Sequence, residues 1–154
     1  MKSFLLKIWK ALPNSEWLKG SLVWLITQKF LVGVVGVVPN ESGEILLLKH
    51  TYRDKYQWGL PGGSLKRGED PGDALSREIL EETGMTVKVI KPLIVSGDDK
   101  WPRVDLVFLC QVIDGTFSAS EEVSSARFFG QDNLPDVMPG QKKIIQDVFN
   151  KKVE

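Results

Sequence analysis

The chain has 154 residues, of which 42% are hydrophobic and 26% charged, a composition typical of one globular domain with a substantial core. Twenty basic residues balance twenty acidic ones, so the net charge gives no reason to expect a long nucleic acid as a partner. The single cysteine, Cys110, excludes an internal disulfide, and no apolar run reaches the roughly 18 residues that a membrane span needs. We therefore expect a cytoplasmic protein.

Residues 1–29 form the first predicted segment, ahead of a main domain that we expect at 30–154. Apolar residues recur at helical spacing on either side of Pro13, and Asn14 or Ser15 suits the start of the second helix. Five lysines against one glutamate give this segment a local net charge of +4, and it holds three of the five tryptophans. Such a segment can lie on an anionic membrane surface, but we expect it to pack on the domain or across a homodimer.

Two strands are predicted next. The β-branched run at 30–38 predicts a central strand, and the apolar run at 44–49 predicts its hairpin partner, because the residues between them favour a turn. The polar and aromatic stretch at 50–57 predicts a loop. His50, the only histidine, is interpreted as a strand-end residue rather than a ligand.

The stretch at 63–85 is the one around which the chain is organised. It begins as a glycine-containing loop and continues as a predicted helix, with Asp70 as the N-cap and Pro71 at the first helical position. The helix should end near residue 83, because Gly84 suits the left-handed conformation that follows a helix.

Three carboxylates on this helix, Glu78, Glu81 and Glu82, indicate its chemistry. Their spacing places all three on one face, where like charges repel. A hard divalent cation such as Mg²⁺ turns that repulsion into attraction and joins carboxylates to the phosphates of a substrate. The alternative is a solvated acidic face, but Arg77 lies beside the carboxylates and Glu69 can pair with it. The stretch therefore predicts a metal–phosphate site.

The remaining elements are predicted from hydrophobic periodicity. They are a strand at 85–96, a loop at 97–103, a strand at 104–112, a short strand at 126–129 and a closing helix at 141–150. Cys110 lies in an apolar run and is interpreted as a buried core residue. Periodicity alone supports an α+β domain.

The central stretch resembles the signature of the Nudix hydrolase family. That signature reads Gly, five residues, Glu, seven residues, Arg-Glu, an aliphatic residue, any residue, Glu-Glu, any residue, Gly, and an aliphatic residue. This chain fills every fixed position, with Gly63, Glu69, Arg77, Glu78, Ile79, Glu81, Glu82, Gly84 and Met85. The resemblance covers roughly 30–146, and it implies an α/β/α sandwich with a mixed sheet.

The resemblance also implies roles for these residues. The implied metal ligands are the helix carboxylates and the backbone carbonyl just before the box: Glu78, Glu81, Glu82 and Gly62. Glu69 becomes the partner of Arg77, with a supporting role behind the ligands.

The general base is left open. In some members it is the glutamate that matches Glu78, and in others it comes from a downstream loop, where Glu121 and Glu122 are the candidates. We place Glu122 slightly ahead. Glu78 and Glu81 stay among the catalytic candidates.

Four residues are candidates for contact with substrate. Arg53 and Lys55 can contact phosphate oxygens, although a solvated loop explains them equally well. Trp101, in the same loop as Arg103, can stack on a base or sugar, and ordinary packing is the alternative.

The implied function is a Mg²⁺-dependent pyrophosphohydrolase, with Mn²⁺ as the other candidate ion. Its substrate would be a nucleoside diphosphate linked to another group, such as a nucleotide sugar or ADP-ribose. One alternative is a (deoxy)nucleoside triphosphate pyrophosphatase. Another is a non-catalytic nucleotide-sensing or peripheral-membrane module. An isomerase of isopentenyl-diphosphate type is disfavoured, because it needs a cysteine ahead of the box and Cys110 lies after it.

Overall fold

The structure is a computed structural model that describes residues 9, 15–98 and 101–151. The helix predicted before Pro13 lies outside these residues except for Trp9. The chain divides into two compact units, Met1–Phe30 and Leu31–Glu154.

The first unit contains helix α1 (Glu16–Ile26), which begins at Ser15, where the Ser15 hydroxyl accepts a hydrogen bond from the amide of Leu18. None of the residues of this helix is buried. Trp17 is 75% exposed and Trp24 is 67% exposed. Within the described parts of the chain, no helix has the length and apolar character needed to cross a bilayer.

The second unit is built on seven strands and two long helices. The strands are β1 (Leu31–Val37), β2 (Ile45–His50), β3 (Trp58–Gly59), β4 (Gly62–Ser64), β5 (Thr86–Gly97), β6 (Arg103–Asp114) and β7 (Val123–Phe129). The helices are α2 (Pro71–Thr83) and α3 (Pro139–Lys151), and a 3₁₀ turn covers Gln131–Asn133. The strands and helices predicted after residue 29 are present, with ends shifted by a few residues. The short strands β3 and β4 are not predicted from the sequence, and β4 includes Gly63, where a loop is expected.

The strands form two sheets. The larger sheet is mixed and has the order β4-β1-β6-β5, with β1 parallel to β6 and antiparallel to β4. The smaller sheet has the order β3-β2-β7 and is antiparallel. Strand β1 is thus central in the larger sheet, as its β-branched run predicts.

The predicted hairpin between β1 and β2 is present only beside its turn and does not extend along the strands. The two segments are joined there by an antiparallel bridge between Pro39 and Ile45, by the bond from the Leu46 amide to the Val38 carbonyl and by the bond from the Asn40 amide to the Glu44 carbonyl. Proline has no amide hydrogen to extend the ladder, and β4 and β6 already occupy both edges of β1. The chain therefore crosses at Pro39 from the larger sheet to the smaller one.

The core consists of two clusters, one on each side of the strands. Helix α2 packs on the first, which includes Val34, Leu46, Leu48, Leu75, Ile79 and Cys110. Helix α3 packs on the second, which includes Val37, Leu47, Leu60, Ile144 and Ile145. This layering is the expected α/β/α sandwich, and the prediction that Cys110 is a core residue is confirmed, since it is 1% exposed.

Candidate active site

Helix α2 positions the carboxylates of the site. Asp70 caps it by accepting a hydrogen bond from the amide of Gly72 at 2.8 Å, and Pro71 is the first helical residue. Gly84 ends the helix with φ 72°, a left-handed conformation that favours glycine. These local signals determine where the helix begins and ends, and the spacing of the three carboxylates then places them on one face.

Glu82 is the buried carboxylate of the site, with only 7% of the residue exposed. One of its oxygens accepts a hydrogen bond from the amide of Gly62 at 3.2 Å. The pKa of Glu82 is raised to about 7, mainly by burial and also by the charges of Glu78 and Glu122. The hydrogen bond from Gly62 and the charge of Arg53 act in the opposite direction. Glu82 is therefore a buried acid whose charged form is opposed both by burial and by two acidic neighbours.

Glu78 lies against the backbone of β4. A Cβ atom built on Gly63 would collide with the Glu78 carboxyl group, so only glycine leaves room for that carboxylate. Gly62 is equally constrained, because its φ is 144° and a side chain there would collide with the Val34 carbonyl. The two glycines therefore bring the strand backbone directly against the helix carboxylates.

Arg77 joins the loop to the helix. Its guanidinium makes two bonds to Glu69, with Nε to Oε1 at 2.8 Å and Nη2 to Oε2 at 3.0 Å. Its Nη1 reaches Glu78 at 2.7 Å and Glu81 at 3.3 Å. The hydrogen bond from Arg77 is the main cause that lowers the pKa of Glu69 to about 2, and the same contacts raise the pKa of Arg77. Arg77 thus supplies positive charge to three carboxylates.

The donor set of this site fits a hard cation. Its groups are carboxylate and backbone carbonyl oxygens, which Mg²⁺ and similar ions prefer. As the side chains stand, no three His, Cys, Asp or Glu residues in the described ranges converge on one ion position. The reason is visible in the contacts, because Glu78 and Glu81 are turned towards Arg77 and Glu82 towards Gly62.

Of the two downstream glutamates, the structure brings Glu122 to the site. Both are exposed, and their backbone carbonyls accept hydrogen bonds from Thr51, at the end of β2. The charge of Glu122 contributes to the raised pKa of Glu82, whereas Glu121 is not among the causes.

The four candidate substrate residues are placed differently. Arg53 lies near the carboxylates, since its charge lowers the pKa of Glu82. The Lys55 ammonium lies 4.7 Å from the ring centre of Tyr56. Trp101 is 73% exposed, and Arg103 pairs with a neighbour on its own strand, Asp105, at 2.8 Å.

Sequence reasoning missed one part of this region. Gln141 in α3 accepts a hydrogen bond from the amide of Leu60 at 3.1 Å, and it lies beside His50 and Arg53. In the sequence Gln141 is one polar residue among several in an amphipathic helix, so no local pattern singles it out.

The site is thus a carboxylate-rich helix packed on a glycine-containing strand at the edge of a mixed sheet. The family profile of the NUDIX domain matches residues 29–148. The chain belongs to the Nudix family and is a Nudix-type hydrolase.

Its relatives agree with this assignment. The chain is 34% identical over 125 residues to a protein of Methanocaldococcus jannaschii named ADP-ribose pyrophosphatase, covering 79% of this chain and 74% of that one. It is 33% identical to a Bacillus subtilis protein named putative 8-oxo-dGTP diphosphatase, covering 77% and 79% of the two chains. Among solved structures, one titled UDP-X diphosphatase shares the fold with a TM-score of 0.70 at 24% identity, covering 97% of this chain and 79% of that one.

Proposed function

We propose that this protein hydrolyses the diphosphate bridge of a nucleoside diphosphate linked to another group, in a reaction that depends on a divalent metal. The observation that carries the proposal is the buried Glu82, held among the charges of Glu78 and Glu122. A nucleotide sugar or ADP-ribose fits this description, and the archaeal relative named ADP-ribose pyrophosphatase supports that substrate class.

The proposed metal ligands are Glu78, Glu81, Glu82 and the carbonyl of Gly62, and Mg²⁺ or Mn²⁺ suits these oxygens. An ion held there supplies positive charge that offsets the negative charge developing on the diphosphate oxygens. Arg77 holds Glu78 and Glu81 on one side of the helix through its ion pairs with both carboxylates.

Glu122 is the proposed general base. The attacking water forms a bond to phosphorus, its proton passes to a carboxylate, and the bridging P–O bond breaks to release two phosphorylated products. Glu122 is exposed, so its carboxylate is accessible to an attacking water. Glu78 remains the second candidate, although its carboxylate bonds to Arg77 at 2.7 Å. Arg53 is proposed to bind a phosphate oxygen.

A second candidate substrate class is a (deoxy)nucleoside triphosphate. The relative from Bacillus subtilis named putative 8-oxo-dGTP diphosphatase favours it. In that reaction the same groups act on a bridge between neighbouring phosphates of one nucleotide. A non-catalytic sensing role is a weaker alternative, because every glutamate of the box is present.

The N-terminal segment is proposed to be a separate unit at 1–29, next to a Nudix domain at 30–154 in a cytoplasmic protein. Its helix α1 exposes Trp17 and Trp24, a face that suits a homodimer contact or an anionic membrane surface. Sedimentation of the full chain with anionic and neutral liposomes, together with light scattering, distinguishes the two uses.

The test of the proposed function is a panel of ADP-ribose, nucleotide sugars and nucleoside triphosphates, assayed with Mg²⁺, with Mn²⁺ and with a chelator. We expect metal-dependent turnover of one class. The variant Glu82→Gln should lose most of this turnover while staying folded, and Asp73→Asn, an exposed change in the same helix, should keep it. Wild-type turnover in Glu82→Gln at equal metal would refute the role of Glu82.

A further inference from the structure

The loop at 115–122 carries Glu122 from the end of β6 to the start of β7, and we call it the base loop. Its first half is attached to helix α2, because the amide of Ser118 donates a hydrogen bond to the carbonyl of Thr83 at 2.8 Å. The side chain of Phe117 packs against the core cluster on which α2 lies. The base loop therefore starts from a fixed position relative to the box carboxylates.

The second half of the base loop is a bend that ends in the core. The Ser120 amide donates a hydrogen bond to the Val123 carbonyl at 3.0 Å, and the Val123 amide donates one to the Ser120 hydroxyl at 3.1 Å. The side chain of Val123 is fully buried. These two bonds close the bend around Glu121 and Glu122 without using the carbonyl of either residue. Those two carbonyls are left for contacts outside the loop.

Thr51 makes these contacts. It is the residue that follows β2, and it has a donor for each carbonyl. Its hydroxyl lies 2.7 Å from the Glu121 carbonyl oxygen and 3.2 Å from that of Glu122. A hydroxyl has one hydrogen to donate, and the nearer oxygen is that of Glu121. The Thr51 amide donates to the Glu122 carbonyl at 2.9 Å.

These bonds restrict the direction in which the Glu122 side chain leaves the backbone. The Glu121 carbonyl belongs to the planar peptide group before the Cα atom of Glu122, and the Glu122 carbonyl belongs to the peptide group after it. When both planes are held, the two backbone dihedral angles of Glu122 and its Cα–Cβ bond have little freedom. The Thr51 amide holds only the second plane, so the hydroxyl is needed to hold the first.

We propose that Thr51 is a positioning residue whose hydroxyl orients the general base, Glu122, towards the attacking water. This inference rests on the proposed function, in which Glu122 accepts the proton of that water, and it adds the residue that orients the base. Misplacing a reacting group by about 1 Å can cost roughly 100-fold in rate. A bond that limits such displacements of Glu122 therefore acts on kcat.

The test compares Thr51→Val, which removes the hydroxyl and keeps the amide, with Thr51→Ser, which keeps both donors. The bonds of the hydroxyl are exposed, so water can replace them and both variants should stay folded. With a substrate that the wild type hydrolyses, Thr51→Val should lower kcat roughly three- to tenfold with KM within about twofold. Thr51→Ser should keep kcat within about twofold of wild type.

Three outcomes of this comparison would overturn the proposal. They are an unchanged kcat in Thr51→Val, an equal loss of kcat in both variants, and a rise in KM at unchanged kcat. The last outcome would mean that Thr51 contacts the substrate instead of orienting the base.

Ser124→Ala is the matched control. The Ser124 hydroxyl donates to the Lys49 carbonyl at 3.2 Å, which is the same kind of exposed bond between β7 and β2, but it does not reach the carbonyls beside the base. This variant should keep kcat within about twofold of wild type. A loss as large as that in Thr51→Val would show that any loosening between these strands slows the enzyme, and the specific role of Thr51 would be refuted.

A double-mutant cycle tests whether Thr51 acts through Glu122. Glu122→Gln alone should lower kcat about 100-fold or more, because the base is removed. Adding Thr51→Val to it should change kcat by less than about twofold, since no base remains to be oriented. A further loss as large as in the wild-type background would overturn the proposal.

A failure of the proposed function gives a different result. If Glu122→Gln turns over substrate as fast as wild type, the base assignment fails and this inference fails with it. If the wild type hydrolyses none of the panel with any metal, the proposed function fails, and hydrogen exchange read by mass spectrometry still measures the contact. Peptides from the base loop should exchange several-fold faster in Thr51→Val than in wild type, Thr51→Ser and Ser124→Ala. Equal exchange in Thr51→Val and wild type would overturn the role of Thr51.

Discussion

The burial of Glu82 leads to a quantitative prediction about stability. Its pKa is about 7 in the folded protein, well above the ordinary value of 4.5 for a glutamate. At 1.36 kcal/mol per unit, keeping this carboxylate ionised costs the metal-free fold about 3 kcal/mol. Because the folded pKa is raised, the contribution of Glu82 to stability is most favourable below pH 4.5 and falls as the pH rises from 4.5 to about 7.

Glu82→Gln removes the charge and keeps an oxygen that can accept the Gly62 hydrogen bond. In a chelator at pH 8, we expect this variant to be more stable than wild type by up to about 3 kcal/mol, with the difference disappearing towards pH 4.5. Urea unfolding followed by tryptophan fluorescence at several pH values measures it. Glu81→Gln is the matched control, since the same charge is removed from a side chain that is 57% exposed.

Saturating metal should make wild type more stable than Glu82→Gln. A ligand present at 1,000 times its Kd stabilises the folded state by about 4.1 kcal/mol, and Glu82→Gln should lose most of this gain. The reasoning is refuted if Glu82→Gln is no more stable than wild type at pH 8 in chelator, or if the difference does not depend on pH.

Three further predictions follow from the contacts of the box. Gly63→Ala should displace the Glu78 carboxylate and lower kcat on the order of 100-fold, with an unchanged circular dichroism spectrum as the check that the fold is retained. The stabilisation that Arg77 gives to Glu69, whose pKa is lowered from 4.5 to about 2, should be fully present above pH 4.5 and lost as the pH falls towards 2. Urea midpoints of Glu69→Gln and wild type should therefore differ at pH 7 and converge near pH 2, and parallel curves would contradict this. Asp70→Ala should lower the free energy of unfolding by about 1 kcal/mol through loss of the helix cap, measured by the same urea method.

The sequence predicts best what is decided locally. Helix α2 is bounded by its own cap residues, Asp70 and Gly84, and its carboxylates follow from helical spacing. The ion pair between Glu69 and Arg77 depends only on a loop that returns to the helix it precedes. These features do not require knowledge of how distant strands pair.

The pairing of strands and the position of Gln141 beside β3 are decided by contacts between distant parts of the chain. The run ending at Val38 and the run beginning at Ile45 pair beside their turn, but the partners of β1 along its length are β4 and β6, which come later in the sequence. Likewise His50 and Gln141 meet because α3 folds back beside β3, which no local pattern encodes. Burial then changes the chemistry of groups such as Glu82, whose side chain looks in the sequence like any other exposed helix glutamate.

The buried thiol gives the protein a natural reporter of its own unfolding. Cys110 is the only cysteine, it is 1% exposed, and burial raises its pKa to about 12, so the folded protein should react very slowly with alkylating reagents. Each modified molecule must first have opened its core around α2. The rate of alkylation, read by mass spectrometry with and without metal or nucleotide, therefore measures how strongly a ligand stabilises the core against opening. The measurement needs no label and no engineered residue.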